Sequence, residues 1–534
     1  MCGKVCRNGA YPQKMQPSQS TSRRWLRSAV AVAACASSLL LVGCGGTDSS
    51  SNAATYFDPT QYSSNAAASL AQATELASTT HHQIVINGTT LAYHATAGHL
   101  TVSSPTTGAP EASIFYVAYI LEPANATTRP LTFFYNGGPG SSTIWLHLGS
   151  FGPKRLVTGD PSTTAVSPFP LVDNAESLLD TTDLVFVDAV GTGFSEAVAP
   201  NTNLAYWGVD ADGAIFRDFV VRYLAVNARA ASPLFLFGES YGTTRSALLA
   251  FLLETAGVRL NGVILQSSIL NYNSNCGVTG NAVVSCGGYV PSYGAIGAYY
   301  QLDVPNPTDA ALPAFVAQMR ALTISDYQPA VTQFLASGAV PNATLLDTLG
   351  NTTGLSAQKW GTNFNLGPDV YQPTLIAGTL IGIYDARVSA PLLSPLAQSG
   401  DPSSSFITPS FANAIDGYLA VDLQYTTPSR YTPLSNALQV WTFAHDGLAL
   451  PDVLPDLAAA LALNPNLRVL SLNGYYDLAT PFFQTETDLA RLGVNANVQT
   501  TFYRAGHMTY LDDQARIAEK ADLVQFYQRA SARK

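Results

Sequence analysis

The pentapeptide Gly238-Glu239-Ser240-Tyr241-Gly242 constrains the fold of this chain more than any other feature, because of what flanks it. Residues 232–237 (Ser-Pro-Leu-Phe-Leu-Phe) read as a short buried strand, and residues 241–253 read as the helix that follows. A serine between them sits on a sharp strand-to-helix turn, where flanking glycines let the backbone pass close without a Cβ clash. Its hydroxyl is then exposed at a helix N-terminus. Alone, the five-residue pattern also fits a glycine-flanked loop serine of no chemical significance. Its meaning depends on whether a base, an orienting acid and an oxyanion site occur elsewhere in the chain.

The 534-residue chain is 47% hydrophobic and 12% charged, enough to bury one large core or two modest ones. Its first segment differs in kind. Arg23, Arg24 and Arg27 precede an apolar run over residues 29–42, which closes in Leu41-Val42-Gly43-Cys44. A charged start, an apolar stretch too short to span a bilayer comfortably and small residues at its end predict an export peptide over residues 1–43, with a transmembrane helix as the alternative. The segment looks like a bacterial lipoprotein signal. That implies cleavage before Cys44 and a lipid anchor on this cysteine, which places the protein at a membrane of the cell envelope, in the periplasm or at the outer membrane. Ser22-Arg23-Arg24 also admits twin-arginine export.

Removal of the leader changes the charge. It carries six basic residues and no acidic ones, so the remainder has 20 Lys and Arg against 36 Asp and Glu, a net charge of −16. That balance argues against a nucleic-acid partner. Beyond the leader and Cys44, Cys276 and Cys286 are the remaining cysteines. In an oxidising envelope they are expected to form a disulfide that contributes about 2 to 3 kcal/mol. A zinc site is the alternative, and no histidine lies near them in sequence to support it.

Residues 44–80 are rich in Ser, Ala, Asn and Thr and read as a flexible tether. The folded part is expected to open at residue 81 with a hairpin, residues 83–86 and 89–93 joined by Asn87-Gly88. From there to residue 270 strands and helices alternate, which predicts a largely parallel sheet with helices on both faces. Between residues 271 and 438 the alternation stops, and helices over 309–322 and 326–336 suggest a largely helical insertion. The pattern resumes over residues 439–534, with an apolar strand at 467–472.

The missing members of a serine site are found in this order. His507, in Arg504-Ala505-Gly506-His507-Met508, follows a strand near the C-terminus, where an α/β-hydrolase keeps its base. The other six histidines lack that setting. Asp477 follows the strand at 467–472 and can orient His507. Asp188 also ends a strand, but it precedes Ser240 and breaks the chain order Ser, Asp, His, so it reads as structural. The residue after the nucleophile, Tyr241, supplies one oxyanion N–H, and the loop Asn136-Gly137-Gly138-Pro139-Gly140, after a strand at 131–135, is the right kind of partner. No Gly-Lys-Ser/Thr follows this loop, so it does not read as a phosphate cradle, and Gly191-Thr192-Gly193 lacks the third glycine of a dinucleotide fingerprint.

With Phe151-Gly152-Pro153, Asp188 to Ser195 (DAVGTGFS) and Gly474 to Asp477, these motifs resemble the serine carboxypeptidase family over about residues 82–530. The resemblance implies an α/β-hydrolase fold with a lid insertion, a peptide substrate, removal of C-terminal residues through an acyl-enzyme, and neither metal nor organic cofactor. It implies that Ser240, Asp477 and His507 form the triad, that Gly138 and Tyr241 give the oxyanion N–H groups, and that Asn136, Gly137 and Glu239 hold the substrate's terminal carboxylate. Two departures stand out. Ser141 occupies the position of a disulfide-bonded cysteine. Ser150, three residues before Pro153, replaces a second carboxylate-binding glutamate, so Glu239 is expected to act alone and with a weaker dependence on acid. Esterase or acyltransferase chemistry by the same residues, or binding without catalysis, are the competing readings.

Overall fold

The computed structural model describes residues 56–125, 128–159, 161 and 168–532. The expected export leader, Cys44 and residues 45–55 of the tether lie outside them. The described chain opens with β1 (Tyr56–Phe57), β2 (Ala77–Ile86), β3 (Thr89–Ser103) and β4 (Pro110–Leu121). An alternating region follows: β5 (Leu131–Tyr135), α1 (Ile144–Gly149), a ribbon of β6 (Lys154–Leu156) with β7 (Leu171–Asp173), β8 (Asp183–Val187), β9 (Glu196–Ala197), α2 (Val209–Val226), β10 (Leu234–Glu239), α3 (Tyr241–Thr255) and β11 (Gly262–Gln266). The insertion carries α4 (Cys276–Thr279), α5 (Val290–Tyr299), α6 (Leu312–Leu322), α7 (Gln328–Ser337), α8 (Ala343–Thr353), α9 (Ala357–Thr362) and α10 (Pro368–Thr374). It continues with β12 (Thr379–Ile381), β13 (Ser389–Pro391), α11 (Pro402–Val421) and β14 (Tyr425–Thr426). The chain ends in α12 (Leu454–Leu463), β15 (Arg468–Gly474), α13 (Phe482–Ala490), β16 (Val498–Tyr503) and α14 (Asp513–Ser531). Among the described residues no helix is long and apolar enough to cross a membrane.

Strands made mostly of apolar residues on both faces cannot show either face to water, and β5, β8, β10 and β11 are buried throughout, with polar residues chiefly at their ends. They form the middle of a sheet of order β16-β15-β11-β10-β5-β8-β4-β3-β2, parallel from β16 to β8 and antiparallel beyond. Successive side chains alternate between two cores. Phe134, Phe186 and Phe237 stack on one face at centroid spacings of 4.8 and 4.9 Å, covered by α1, α11 and α14. Leu131, Phe133, Leu234 and Leu236 meet α2, α3 and α12 on the other. This is the α/β-hydrolase arrangement. The chain runs from β5 outward to β8, then crosses back over β5 to β10. Topology therefore reverses between β5 and β10, and a crevice opens where their carboxyl ends diverge.

The hairpin turn is as its sequence dictates. Ile86 pairs with Thr89, and Asn87 and Gly88 take φ of 50° and 74°, the left-handed conformation that Asn-Gly tolerates best. Within the insertion, Cys276 and Cys286 are joined by a disulfide. The insertion also has its own aromatic core, in which Tyr293 and Tyr371 stack at 3.9 Å.

Residues 56–80 depart from the expected tether. β1 pairs in parallel with β14, Leu70 bridges to Val198, and β2 already begins at Ala77. The segment has no apolar periodicity because hydrogen bonds order it. Asp58, 1% exposed, accepts from the hydroxyls of Tyr62 and Tyr425 at 2.8 and 2.7 Å and from the Thr60 N–H at 2.9 Å. Burial pushes its carboxyl up, but these donors win and hold it below the ordinary value. Tyr425→Phe, which deletes one donor to a buried carboxylate, is expected to lower stability by about 1–3 kcal/mol in denaturant melts. An unchanged melt would mean that residues 56–62 lie outside the cooperative fold.

Candidate active site

Ser240 follows the last residue of β10 and precedes the first of α3, with φ 58° and ψ −127°. Its N–H donates to the carbonyl of Gln266 at 3.0 Å, and its carbonyl accepts from Thr243 N–H at 2.8 Å. The turn fits only because its neighbours lack side chains. A Cβ on Gly238 would lie 2.2 Å from the Gly242 carbonyl oxygen, and one on Gly137 would lie 2.4 Å from the Tyr241 nitrogen. The loop after β5 and the turn after β10 are thus in backbone contact. Tyr241 is the first residue of its helix, so its N–H has no partner within that helix. Gly138 continues the loop at φ 101°.

Asp477 and His507 follow the carboxyl ends of β15 and β16, which lie beyond β11 in the sheet. His507 Nδ1 lies 2.8 Å from Asp477 Oδ2, which also accepts from the Thr480 hydroxyl, while Oδ1 takes the N–H groups of Ala479 and Thr480. The imidazole is fixed further by its own backbone: its N–H donates to Tyr384 O at 2.6 Å, and its carbonyl accepts from Ser267 Oγ at 2.6 Å. Burial pushes the His507 pKa down, and the Asp477 carboxylate, with Glu239 and Asp401, more than reverses this and holds it above the ordinary value. Nε2 is buried with no hydrogen-bond partner among the described residues, and His507 lines one cavity with Ser240, Gly138, Gly137, Asn136 and Glu239. A serine and an imidazole so arranged can exchange a proton while a carboxylate steadies the imidazolium.

Glu239 is 2% exposed. Its Oε1 accepts from Asn136 Nδ2 at 2.9 Å and its Oε2 from the Tyr510 hydroxyl at 2.5 Å. Burial raises its carboxyl to about 7, against the opposing pull of His507 and the two donors. Asn136 is itself locked: its Oδ1 accepts from Leu146 N–H, and its carbonyl accepts from Arg245, whose guanidinium is paired with Asp212 at 2.7 Å inside the core. Ser150 does not face the cavity. Its hydroxyl donates to Leu146 O at 2.6 Å, within the end of α1. Ser141 Oγ accepts from Trp145 Nε1 at 2.9 Å.

The remaining candidates lie elsewhere. Asp188 Oδ1 accepts from Thr143 N–H and the Tyr431 hydroxyl, and burial lifts its carboxyl to about 7. It braces the loop after β5. His147 is buried against Tyr119 and Phe186, and burial takes its pKa down to about 3. His445, Asp446 and Asp456 bring three metal-type ligands together, but both imidazole nitrogens are engaged, by Asp210 at 2.6 Å and Asp456 at 2.9 Å. This cluster belongs to a strap over residues 432–456 that bridges to four loops, at Gly193, Ser141, Gly208 and Asn271. Tyr510, Thr480 and Arg245 were not expected from the sequence. The partners of Tyr510 and Arg245 are distant in the chain, so no local spacing marks them, whereas Thr480 lies three residues after Asp477.

The fold is that of the α/β-hydrolases, with Ser240, Asp477 and His507 placed after the carboxyl ends of its strands. The serine carboxypeptidase family model matches residues 87–278, which is the expected resemblance made explicit over the part of the chain that holds the loop after β5 and the Ser240 turn. Among solved structures, the prohormone-processing carboxypeptidase Kex1(delta)p of Saccharomyces cerevisiae superimposes with a TM-score of 0.51 at 16% identity, covering 82% of this chain and 91% of its own, and shows the shared fold. The proline iminopeptidase of Mycobacterium smegmatis aligns at a TM-score of 0.35 and 14% identity, over 82% of this chain and 99% of its own. No curated protein sequence matches the chain.

Ser240→Ala is expected to leave thermal melting unchanged, to abolish labelling by a fluorophosphonate, and to lower hydrolysis of an activated ester by about 10⁴-fold or more. Retained turnover would exclude Ser240 as nucleophile.

Proposed function

We propose that the protein is a serine-type carboxypeptidase that releases C-terminal residues from peptides. Ser240 Oγ attacks the scissile carbonyl carbon as His507 Nε2 takes its proton, and Asp477 holds the resulting imidazolium. The N–H groups of Gly138 and Tyr241 receive the oxyanion. Collapse expels the terminal amino acid, whose amine takes the proton from His507. Water then gives its proton to His507 as it attacks the acyl-Ser240 ester, and His507 returns that proton to Ser240 Oγ as the ester bond breaks and the shortened peptide acid leaves.

One observation carries the peptidase end of this reading: a buried carboxyl, Glu239, sits beside the nucleophile with no Lys or Arg ion-paired to it among the described residues, and burial raises it to about 7. Protonated, it can donate to a substrate carboxylate, with Asn136 and the Gly137 backbone completing the contact. Ionised, it repels the same group. The Ser150 hydroxyl, turned into α1, leaves Glu239 without a second carboxyl from that side, and this favours esterase or acyltransferase chemistry as the second reading.

Two ionisations set the expected pH dependence. The rate rises as His507 loses its proton and falls as Glu239 loses its own. For free-acid peptides kcat/KM is expected to drop about tenfold per pH unit above about 7, while the corresponding C-terminal amides lack this fall and react far more slowly. Glu239→Gln, neutral at all pH, should flatten the alkaline limb for free acids. Equal cleavage of acid and amide would favour the second reading.

We further propose, from the leader sequence, that the protein is exported and anchored through lipid on Cys44. Cys44→Ala is expected to move it from the membrane to the soluble fraction, and an unchanged distribution would remove the anchor.

A further inference from the structure

Glu239 lines the cavity beside Ser240, and the group that holds it from behind comes from the turn after β16. Tyr510, in that turn, donates its hydroxyl to Glu239 Oε2 at 2.5 Å but does not itself line the cavity. It therefore occupies the side of the carboxyl turned away from substrate. The phenol is 0% exposed and tightly packed: a Cβ added to Gly149 in α1 would lie 3.0 Å from Tyr510 Cε2. Packing, and not the hydrogen bond alone, places the ring.

An O···O contact of this kind holds one proton. Burial and the Glu239 charge push the phenol well above its ordinary pKa, so the proton on this line stays with Tyr510. On the other carboxyl oxygen, Oε1, Asn136 Nδ2 already donates at 2.9 Å. A proton that Glu239 takes up is thus kept off the Tyr510 line, and the cavity side of the carboxyl is left to it. A donor fixed on a carboxylate also favours the charged form over the neutral acid, because hydrogen bonds to an ionised acceptor are the stronger ones.

The other groups around Glu239 do not duplicate this donor. The His507 charge draws its carboxyl down and the Asp477 charge pushes it up, and Tyr384 lies toward it from the insertion. Glu519 in α14, whose Oε2 accepts from the Thr509 hydroxyl, adds a second buried carboxyl on the side of the turn.

We propose that Tyr510 is a positioning residue for recognition of the substrate carboxylate: it acts through Glu239, turning that carboxyl's own proton toward the cavity and favouring its ionised state, and so confines binding of a terminal carboxylate to the more acidic part of the pH range. The effect on Glu239 stands on the contact itself, and its consequence for peptides rests on the carboxypeptidase reading.

Both are measured on the purified full chain. Tyr510→Phe removes the hydroxyl and keeps the ring. With free-acid peptides, its alkaline limb of kcat/KM should lie about one to two pH units above the parent's, as expected for the loss of one hydrogen bond to a charged group. A purely structural loss would lower the rate without moving the limb. Glu239 is read without substrate from the infrared carbonyl band of its protonated carboxyl, isolated as the band missing from Glu239→Gln. The pH midpoint of that band should move up by the same amount in Tyr510→Phe, and a midpoint at the parent's pH overturns the proposal. If Tyr510→Phe does not fold, 3-fluorotyrosine placed at position 510, a stronger donor, should move the midpoint down, and an unmoved midpoint again overturns the proposal. A band that shifts while free-acid peptides are cleaved no better than their amides supports this role for Tyr510 and counts against the carboxypeptidase reading.

Discussion

Two stretches of bare backbone lie against each other at the carboxyl ends of β5 and β10, and the site depends on that contact. Gly137 packs on the nitrogens of residues 241 and 242, and Gly242 in turn faces the carbonyl of Tyr135. Neighbouring parallel strands stand about 4.8 Å apart, so two loops leaving them side by side have no room for side chains between them. The strained serine and the loop that would receive an oxyanion are therefore brought together by the sheet spacing itself. Arg245 and Asp212 stiffen the contact from behind, because the guanidinium that satisfies Asp212 also binds the carbonyl from which the glycine loop departs. A buried ion pair adds little net stability, but here it fixes the direction of a chain.

Around this contact the charge is managed by burial more than by pairing. Asp188, Glu239 and Glu519 are enclosed without an ion-pair partner among the described residues and are lifted to about 7, 7 and 8, whereas Asp477 collects backbone and hydroxyl donors and faces His507. The departure at Ser150 has a structural counterpart in Tyr510. A phenol held by burial well above its ordinary pKa keeps its proton, so Tyr510 donates a hydrogen bond to Glu239 in place of a proton shared with a second acid. The identity of one residue three positions after His507 thus sets the state of another beside Ser240.

What could be read from the sequence follows from how local its cause is. The apolar runs of β5, β8, β10 and β11, the Asn87-Gly88 turn and the strand-end positions of Ser240, Asp477 and His507 each have a cause within a few residues, and each was legible. The segment 56–80 was not, since its order comes from Tyr425 and Gln424, far along the chain, acting on Asp58 and Tyr56. Glu239 was singled out from its motif, but its partner Tyr510 lies 271 positions away and has no pattern of its own. Glu519 sits on α14 among charged residues, and only the packing of that helix under the turn separates it from a solvated glutamate.

The strap over residues 432–456 bridges the loops after β5, β8 and β11 and the entry to α2, and its contacts span long distances: Pro433 accepts from Ser142, 291 positions earlier. The stretch that matches the family model, residues 87–278, ends before this strap and before Asp477 and His507. In a chain made from its amino end, the nucleophile turn is therefore complete long before its base, its orienting acid or the strap across its loops exists. Contacts of such sequence separation close late in folding. Hydrolytic competence is then the last property the molecule acquires, and a truncated product would carry the motif without the chemistry.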